Sequence, residues 1–403
     1  MKSLFNRSTA AVVAAALACG TSRTASAQTP NLPASPLAGG QAAYQGGAYM
    51  DAHGDNIVMP ASYCEPSAGY GEMCAPDAGC SYGDPGYADF GGYSTPDQCG
   101  PHYFDVAANA VFLQSDRSFD DVPPLGSIGV AGPTILDPGD LNDDYEAGWE
   151  IAARLDLGPL SVIEATYMGI YDLGFNSTVN SVDVAPNGAD FQLNSVFSDY
   201  GIDPIEGLDE GSVYNVDYQS DLQSTELSYR RYWVGYNPRI SGTYLAGFRY
   251  VRMTEDMNFN AIALDGDSNI NWQSTNDLVG AQLGGDGWIA LRQGLRLGGE
   301  TKAGIYNNRF KYGHSTSIPD PDITNVDFGA DGNQVAFVGE AKIDLVADIL
   351  PSISIRGGYR VLYINSLVTV GNNIDPSDVT STTLYTQADA LYNGFHGGIE
   401  YIW

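Results

Sequence analysis

The chain has 403 residues and a formal charge of −31, from 49 acidic and 18 basic side chains. That balance excludes nucleic acid as a partner, because phosphate backbones are held by Lys and Arg. With 48 glycines, 26 tyrosines and 43% hydrophobic residues, the composition speaks against long helices and against a wholly disordered chain.

The first 27 residues read as a cleaved signal peptide. Lys2 and Arg7 form a positive start, Thr9 to Ala18 an apolar stretch, and Ala25-Ser26-Ala27 a small-residue cleavage site. A lipoprotein signal through Cys19 competes, but the Ala-Leu-Ala before it matches that signal poorly. The apolar stretch is too short to span a bilayer, and no later run approaches the length of a membrane helix.

Residues 28–100 contain no Lys or Arg and show no periodic apolar face. They read as a loop-rich or disordered tail. Cys64, Cys74, Cys80 and Cys99 remain after cleavage, and an even count in a secreted chain points to two disulfides with three pairings open. The cysteines lack zinc-ligand spacing. His102, near Cys99, reads as a strand-entry residue.

From Pro101 the pattern changes to alternation of period two, the mark of a strand. In 145–157, Tyr145, Ala147, Trp149, Ile151, Ala153, Leu155 and Leu157 oppose Glu146, Glu150, Arg154 and Asp156. The same alternation recurs in 295–305, 335–347 and 353–363. Weaker strands are expected at 103–114, 160–171, 220–235, 243–255, 274–291 and 393–403. The total is about ten, with twelve as the alternative count. Connections alternate long and short: 115–144, 172–219, 256–273, 308–334 and 364–392 are long, and the turns between them are short. That rhythm, with both signs of charge on the polar faces, is the pattern of an antiparallel transmembrane β-barrel with apolar residues facing lipid. An even strand count puts the tail on the periplasmic side.

The polar faces then line the lumen: Glu150, Arg154, Glu164, Glu226, Arg230, Arg249, Glu300, Lys302, Glu340, Lys342, Asp344, Arg356 and Arg360. Tyr103, Tyr145, Tyr171, Trp233, Tyr363 and Trp403 fall at strand ends, where interfacial girdles sit. Arg231 shares a face with Leu227, Tyr229 and Trp233 and must snorkel near the membrane edge.

The chain ends in His396-Gly-Gly-Ile-Glu-Tyr-Ile-Trp403, with Phe395, Ile399, Tyr401 and Trp403 on one face. His396, Gly398, Tyr401 and Trp403 resemble the C-terminal signal that outer-membrane barrels present to their assembly machinery. The region 101–403 also resembles a planctomycete-type family of β-barrel porins. The segments that carry this are Cys99–Leu113, Thr225–Tyr236, Leu245–Phe259 and Leu278–Phe310. The resemblance implies an outer-membrane barrel and supplies no catalytic residues.

Three functions are in view. The first is a porin-like or narrow channel without catalysis, closed or nearly so at ten strands because small barrels fill with side chains. The second is a surface, binding or structural barrel acting through its long acidic loops. The third and remotest is an outer-membrane hydrolase, for which His314 in the 308–334 loop is the one placed histidine. No cofactor is expected. Asp116, Asp120, Asp121, Asp137, Asp140, Asp143 and Asp144 form an oxygen-rich loop that could take Ca²⁺, but without the order of an EF-hand. The expected partners are outer-membrane lipid and the assembly machinery.

Overall fold

A computed structural model describes residues 104–402 apart from 117–118, 120–121, 142–144, 159, 238 and 351. The chain divides into Met1–Pro101 and His102–Trp403, and every described residue belongs to the second unit. The signal peptide 1–27, the tail 28–100 and Cys64, Cys74, Cys80 and Cys99 lie outside the described residues. So do His102, Tyr103, Trp403 and four of the loop aspartates, Asp120, Asp121, Asp143 and Asp144.

Thirteen strands follow in chain order: β1 Phe104–Asp116, β2 Gly126–Ile128, β3 Thr134–Ile135, β4 Glu146–Gly158, β5 Ser161–Asn180, β6 Leu193–Ser195, β7 Gly211–Val234, β8 Ile240–Ala263, β9 Gly266–Arg292, β10 Leu295–Ser317, β11 Asp327–Leu350, β12 Ile353–Leu367 and β13 Ala388–Ile402. Ten of them close an antiparallel ring in the order β7-β5-β4-β1-β13-β12-β11-β10-β9-β8, with β8 returning to β7. The first and last strands pair, Val106 opposite Tyr401. Closure leaves no edge strand in the ring, which a membrane demands of a sheet. The short β6, β2 and β3 continue the hydrogen-bonded order from β7.

The alternation read in the sequence decides the lower part of the wall. Phe112, Trp149, Leu227, Phe248, Leu283, Ile305, Val335, Ile355 and Phe395 point outward and are exposed. Left in water, such a belt would cost about 25 cal/mol per Å² of apolar surface, so it calls for an apolar surrounding. Arg231 is exposed near the lower end of β7.

The upper part reverses this polarity. On β8 the outward Asp256, Asn258 and Asn260 alternate with the inward Met257, Phe259 and Ala261. On β9, Asn269 and Asn271 face out while Ile270 and Trp272 are buried. The expected loops 256–273 and 308–334 are therefore mostly strand. β8 and β9 meet at a turn of two residues, 264–265, and β10 runs on to Ser317. At 27 residues, β9 covers roughly 90 Å along its path at about 3.3 Å per residue. That exceeds a belt of about 25 Å by far, even with a tilt near 40°.

The wall is uneven in height. β7 to β11 stand tall, while β1, β4, β12 and β13 are short. The three long connections of the low side fold onto the inner face of the tall side. Phe119 and Leu125 of the first, Leu193 and Phe197 of the second, and Val368 and Val370 of the last pack against Tyr214, Phe259, Trp272 and Tyr312.

Candidate functional site

The inward residues at belt level form one extended ionic network with a smaller cluster beside it. Arg154 reaches Glu164 at 2.6 Å and Glu400 at 3.0 Å. Arg230 sits among Glu164 at 2.6 Å, Asp286 at 2.9 Å and Glu300. Further toward the outer end, Arg249 bridges Glu340 at 2.6 Å and Glu226 at 3.4 Å. Lys302 holds Glu226 at 2.9 Å and Glu300 at 3.6 Å. Lys342 lies 3.1 Å from Glu340 and 3.5 Å from Glu150. Arg360 binds Glu150 and lies 3.5 Å from Glu340. On the adjoining strands Asp344 takes Arg356 at 3.2 Å and His396 Nε2 at 2.7 Å.

All thirteen lumen candidates thus lie in the interior, eleven of them in the extended network and Asp344 with Arg356 in the smaller cluster. Arg154 is 23% exposed and no other exceeds 13%. Charges taken from water are tolerated only when paired and hydrogen-bonded. Asn109 and Gln282 supply further donors, to Glu150 and Glu226, each at 2.9 Å. Asp286, Arg296, Asp348, Glu400 and His396 belong to the same interior set but were not among the lumen candidates. Each occupies an inward position opposite apolar neighbours such as Ile399 and Tyr401, and that alternation was the available signal. Trp288 lies across Gly298, where a Cβ would come within 2.3 Å of the indole. Arg296 stacks over the same ring at 5.6 Å.

An apolar layer closes the barrel above the ions. Val111, Leu113, Ile170, Leu222, Val251 and Leu362 meet across the lumen with no measurable exposure. Above it, the end of β12 turns inward at Ser366, whose φ of 55° is left-handed and uncommon for a residue with a side chain. Side chains of the opposite wall capture its backbone. Asn276 Nδ2 donates to the Val368 carbonyl at 2.7 Å, and Val368 N–H donates back to Asn276 Oδ1 at 2.9 Å. Asn308 and Gln334 donate to the Ser366 carbonyl at 2.9 and 2.7 Å. Val370 N–H donates to Glu255 at 2.8 Å. Residues 366–370 form a strap across the lumen, and none of these holding groups stood among the sequence candidates.

His314 lies on β10 and not in a loop, because the polarity reversal hides the upper strand. Its ring stacks on Trp272 with centroids 5.3 Å apart, and Nε2 donates to the Val379 carbonyl at 2.8 Å. In the second long connection, Asp209 accepts from Ser195 N–H at 3.0 Å, Ile205 N–H at 2.7 Å and Ser198 Oγ at 2.6 Å. Burial pushes its carboxyl above the ordinary value despite these donors. Among the described residues no group of His, Cys, Asp and Glu is arranged to hold a metal ion. On the last strand Phe395, Ile399 and Tyr401 face outward. A Cβ at Gly398 would meet the Ala108 carbonyl at 2.0 Å.

No protein-family model matches the chain, and no curated protein matches it. The resemblance to planctomycete-type porins therefore gains no support from family models. Solved structures do match. The outer membrane protease OmpT from Escherichia coli is 12% identical, with 75% of this chain and 97% of that one covered and a TM-score of 0.44. A major outer membrane protein from Thermus thermophilus is 10% identical, with 75% and 100% covered and a TM-score of 0.30. The translocator domain of autotransporter NalP from Neisseria meningitidis is 10% identical, with 76% and 90% covered and a TM-score of 0.36. At these scores the barrel rests on its own strand pairing and apolar belt.

Proposed function

We propose that this chain is a non-conducting outer-membrane β-barrel that holds a rigid extracellular cup at the cell surface, as a binding or structural protein without catalysis. The observation that carries the reading is the filled lumen. Ion pairs occupy the belt level, an apolar layer lies above them, and the 366–370 strap crosses above that. Water and ions crossing such an interior would have to separate buried ion pairs, at about 3–5 kcal/mol for each pair broken. The tall wall and the three connections packed on it offer the partner surface. The last strand, with Phe395, Ile399 and Tyr401 outward, is what the assembly machinery would meet. His314 supports the non-catalytic part, since its Nε2 proton is spent on a backbone carbonyl.

The test is single-channel recording of the purified barrel in planar bilayers, with heat-modifiable gel migration as the folding control. Folded protein that stays silent supports the reading. Stable current steps from folded protein would return the porin-like narrow channel to first place.

A further inference from the structure

The outer wall carries two features, one above the other on the same strands. In the belt, small side chains on neighbouring strands leave a groove of about 840 Å³. Ala246, Ala281 and Ala303 form its floor, while Phe248, Leu283 and Ile305 stand up around it, each 69% exposed. Directly above, Arg252 on β8 and Arg309 on β10 both pair across to Asp277 of β9, and Lys311 follows two residues beyond Arg309. Among the described residues these are the only cations on the outer wall above the belt. The others line the lumen or lie near the lower strand ends and turns.

Their placement is unusual for a chain of charge −31, where the neighbouring outward positions are Asn, Asp, Gln and Thr. Asp277 is already engaged, by the Tyr250 hydroxyl and by Arg252 Nε at 3.8 Å. Arg309 and Lys311 make no ion pair among the described residues, although Asp331 stands opposite Lys311 in the ladder. From Ile305 to Arg309, and from Phe248 to Arg252, is four residues, or about 13 Å along the strand. Allowing for tilt, that interval carries the surface from hydrocarbon into the headgroup layer.

We propose that this wall is a binding site for one phosphate-bearing membrane lipid, with an acyl chain lying in the Ala246–Ala281–Ala303 groove and the headgroup phosphate on Arg252, Arg309 and Lys311. The juxtaposition selects this occupant. A second copy of the chain would bring the same three cations against themselves, and a neutral lipid would leave Arg309 and Lys311 without a counter-charge. The inference rests on the membrane reading given above.

The experiment uses the detergent-solubilised full chain and native mass spectrometry. The probes are phosphatidic acid and the diacylglycerol of identical acyl chains. Folding is checked by heat-modifiable migration, and insertion by flotation with vesicles. Phosphatidic acid is expected to be retained about tenfold or more over diacylglycerol, because cations at a membrane surface favour anionic lipid. Arg252→Gln, Arg309→Gln and Lys311→Gln together should bring the two lipids to parity. Ala246→Phe with Ala303→Phe, both facing outward, should lower retention of both lipids. Equal retention by the unaltered chain, a preference that survives the triple variant, or groove variants without effect would overturn the proposal. So would displacement of the lipid by inorganic phosphate at equal concentration, which would make this a free-anion site. Failure of the folded chain to float with vesicles would instead overturn the membrane reading itself.

Discussion

Replacing Asn276 by alanine tests whether the 366–370 strap is a fixed part of the barrel. Asn276 is fully buried and makes three hydrogen bonds. It donates to the Val368 carbonyl, accepts from Val368 N–H, and accepts from Asn308 Nδ2 at 2.9 Å. The substitution strands all three partners in an interior that water enters poorly. Each buried group left unsatisfied costs about 1–3 kcal/mol. Partial relaxation brings the total to about 3–6 kcal/mol, charged against the local closure of the strap and not against the whole barrel. At about 1.4 kcal/mol per factor of ten, the Val368 amide should exchange with deuterium roughly a hundred to ten thousand times faster. Amides at the centres of β8 and β9 should keep their protection. Exchange at Val368 within about threefold of the unaltered chain would refute the reasoning, since no strap held by this side chain could stay closed without it.

The belt and the upper wall should respond oppositely to the same charge. Leu283→Arg should weaken folding into vesicles by about 2–4 kcal/mol, as for cations near the bilayer midplane, whereas Asn271→Arg should change it by under about 0.5 kcal/mol. Urea titration of vesicle-inserted protein reads both, and equal effects would misplace the belt. Arg360→Met leaves Glu150 with Lys342 and Asn109 and should cost about 3 kcal/mol, the low end for a broken buried pair. Adding Glu150→Gln should recover part of it, and a purely additive loss in heat-modifiable migration would contradict the coupling. Burial raises Asp209 above its ordinary value of 3.8, so the folded connection favours the neutral carboxyl. Its contribution to stability is therefore greatest below that value and declines as pH rises through the raised one. Opening free energies at the Ser195 and Ile205 amides, corrected for intrinsic exchange, should fall across that window and lie flat in Asp209→Asn. A rise with pH would reverse the assignment.

Period-two alternation was enough to read the ten barrel strands, because a side chain's face along a strand is a local property of the backbone. It located Trp149 and Ile151 outside, and Glu150 and Arg154 inside, without any knowledge of the partner strands. The upper halves of β8, β9, β10 and β11 escaped for a related reason. The period continues there, but on the membrane reading proposed above the medium outside changes from lipid to water, so the apolar phase moves from Phe248 to Met257 and the break resembles a loop. A sequence states which residues share a face and not which solvent meets that face.

What the chain determines alone is therefore the alternation, about ten wall strands and the inward position of the thirteen ionic side chains from Glu150 to Arg360. Tertiary structure decides which charges meet and whether the lumen is filled. Arg230 with Glu300, and Arg360 with Glu150, join strands that are not neighbours in the ring. Ladder register relates only adjacent strands, and closure into a narrow ring is what brings opposite walls within ion-pair distance. The strap depends on the same curvature. Asn276, Asn308 and Gln334 are ordinary polar residues in sequence, and they become clamps only where the ring places them facing the backbone of 366–370.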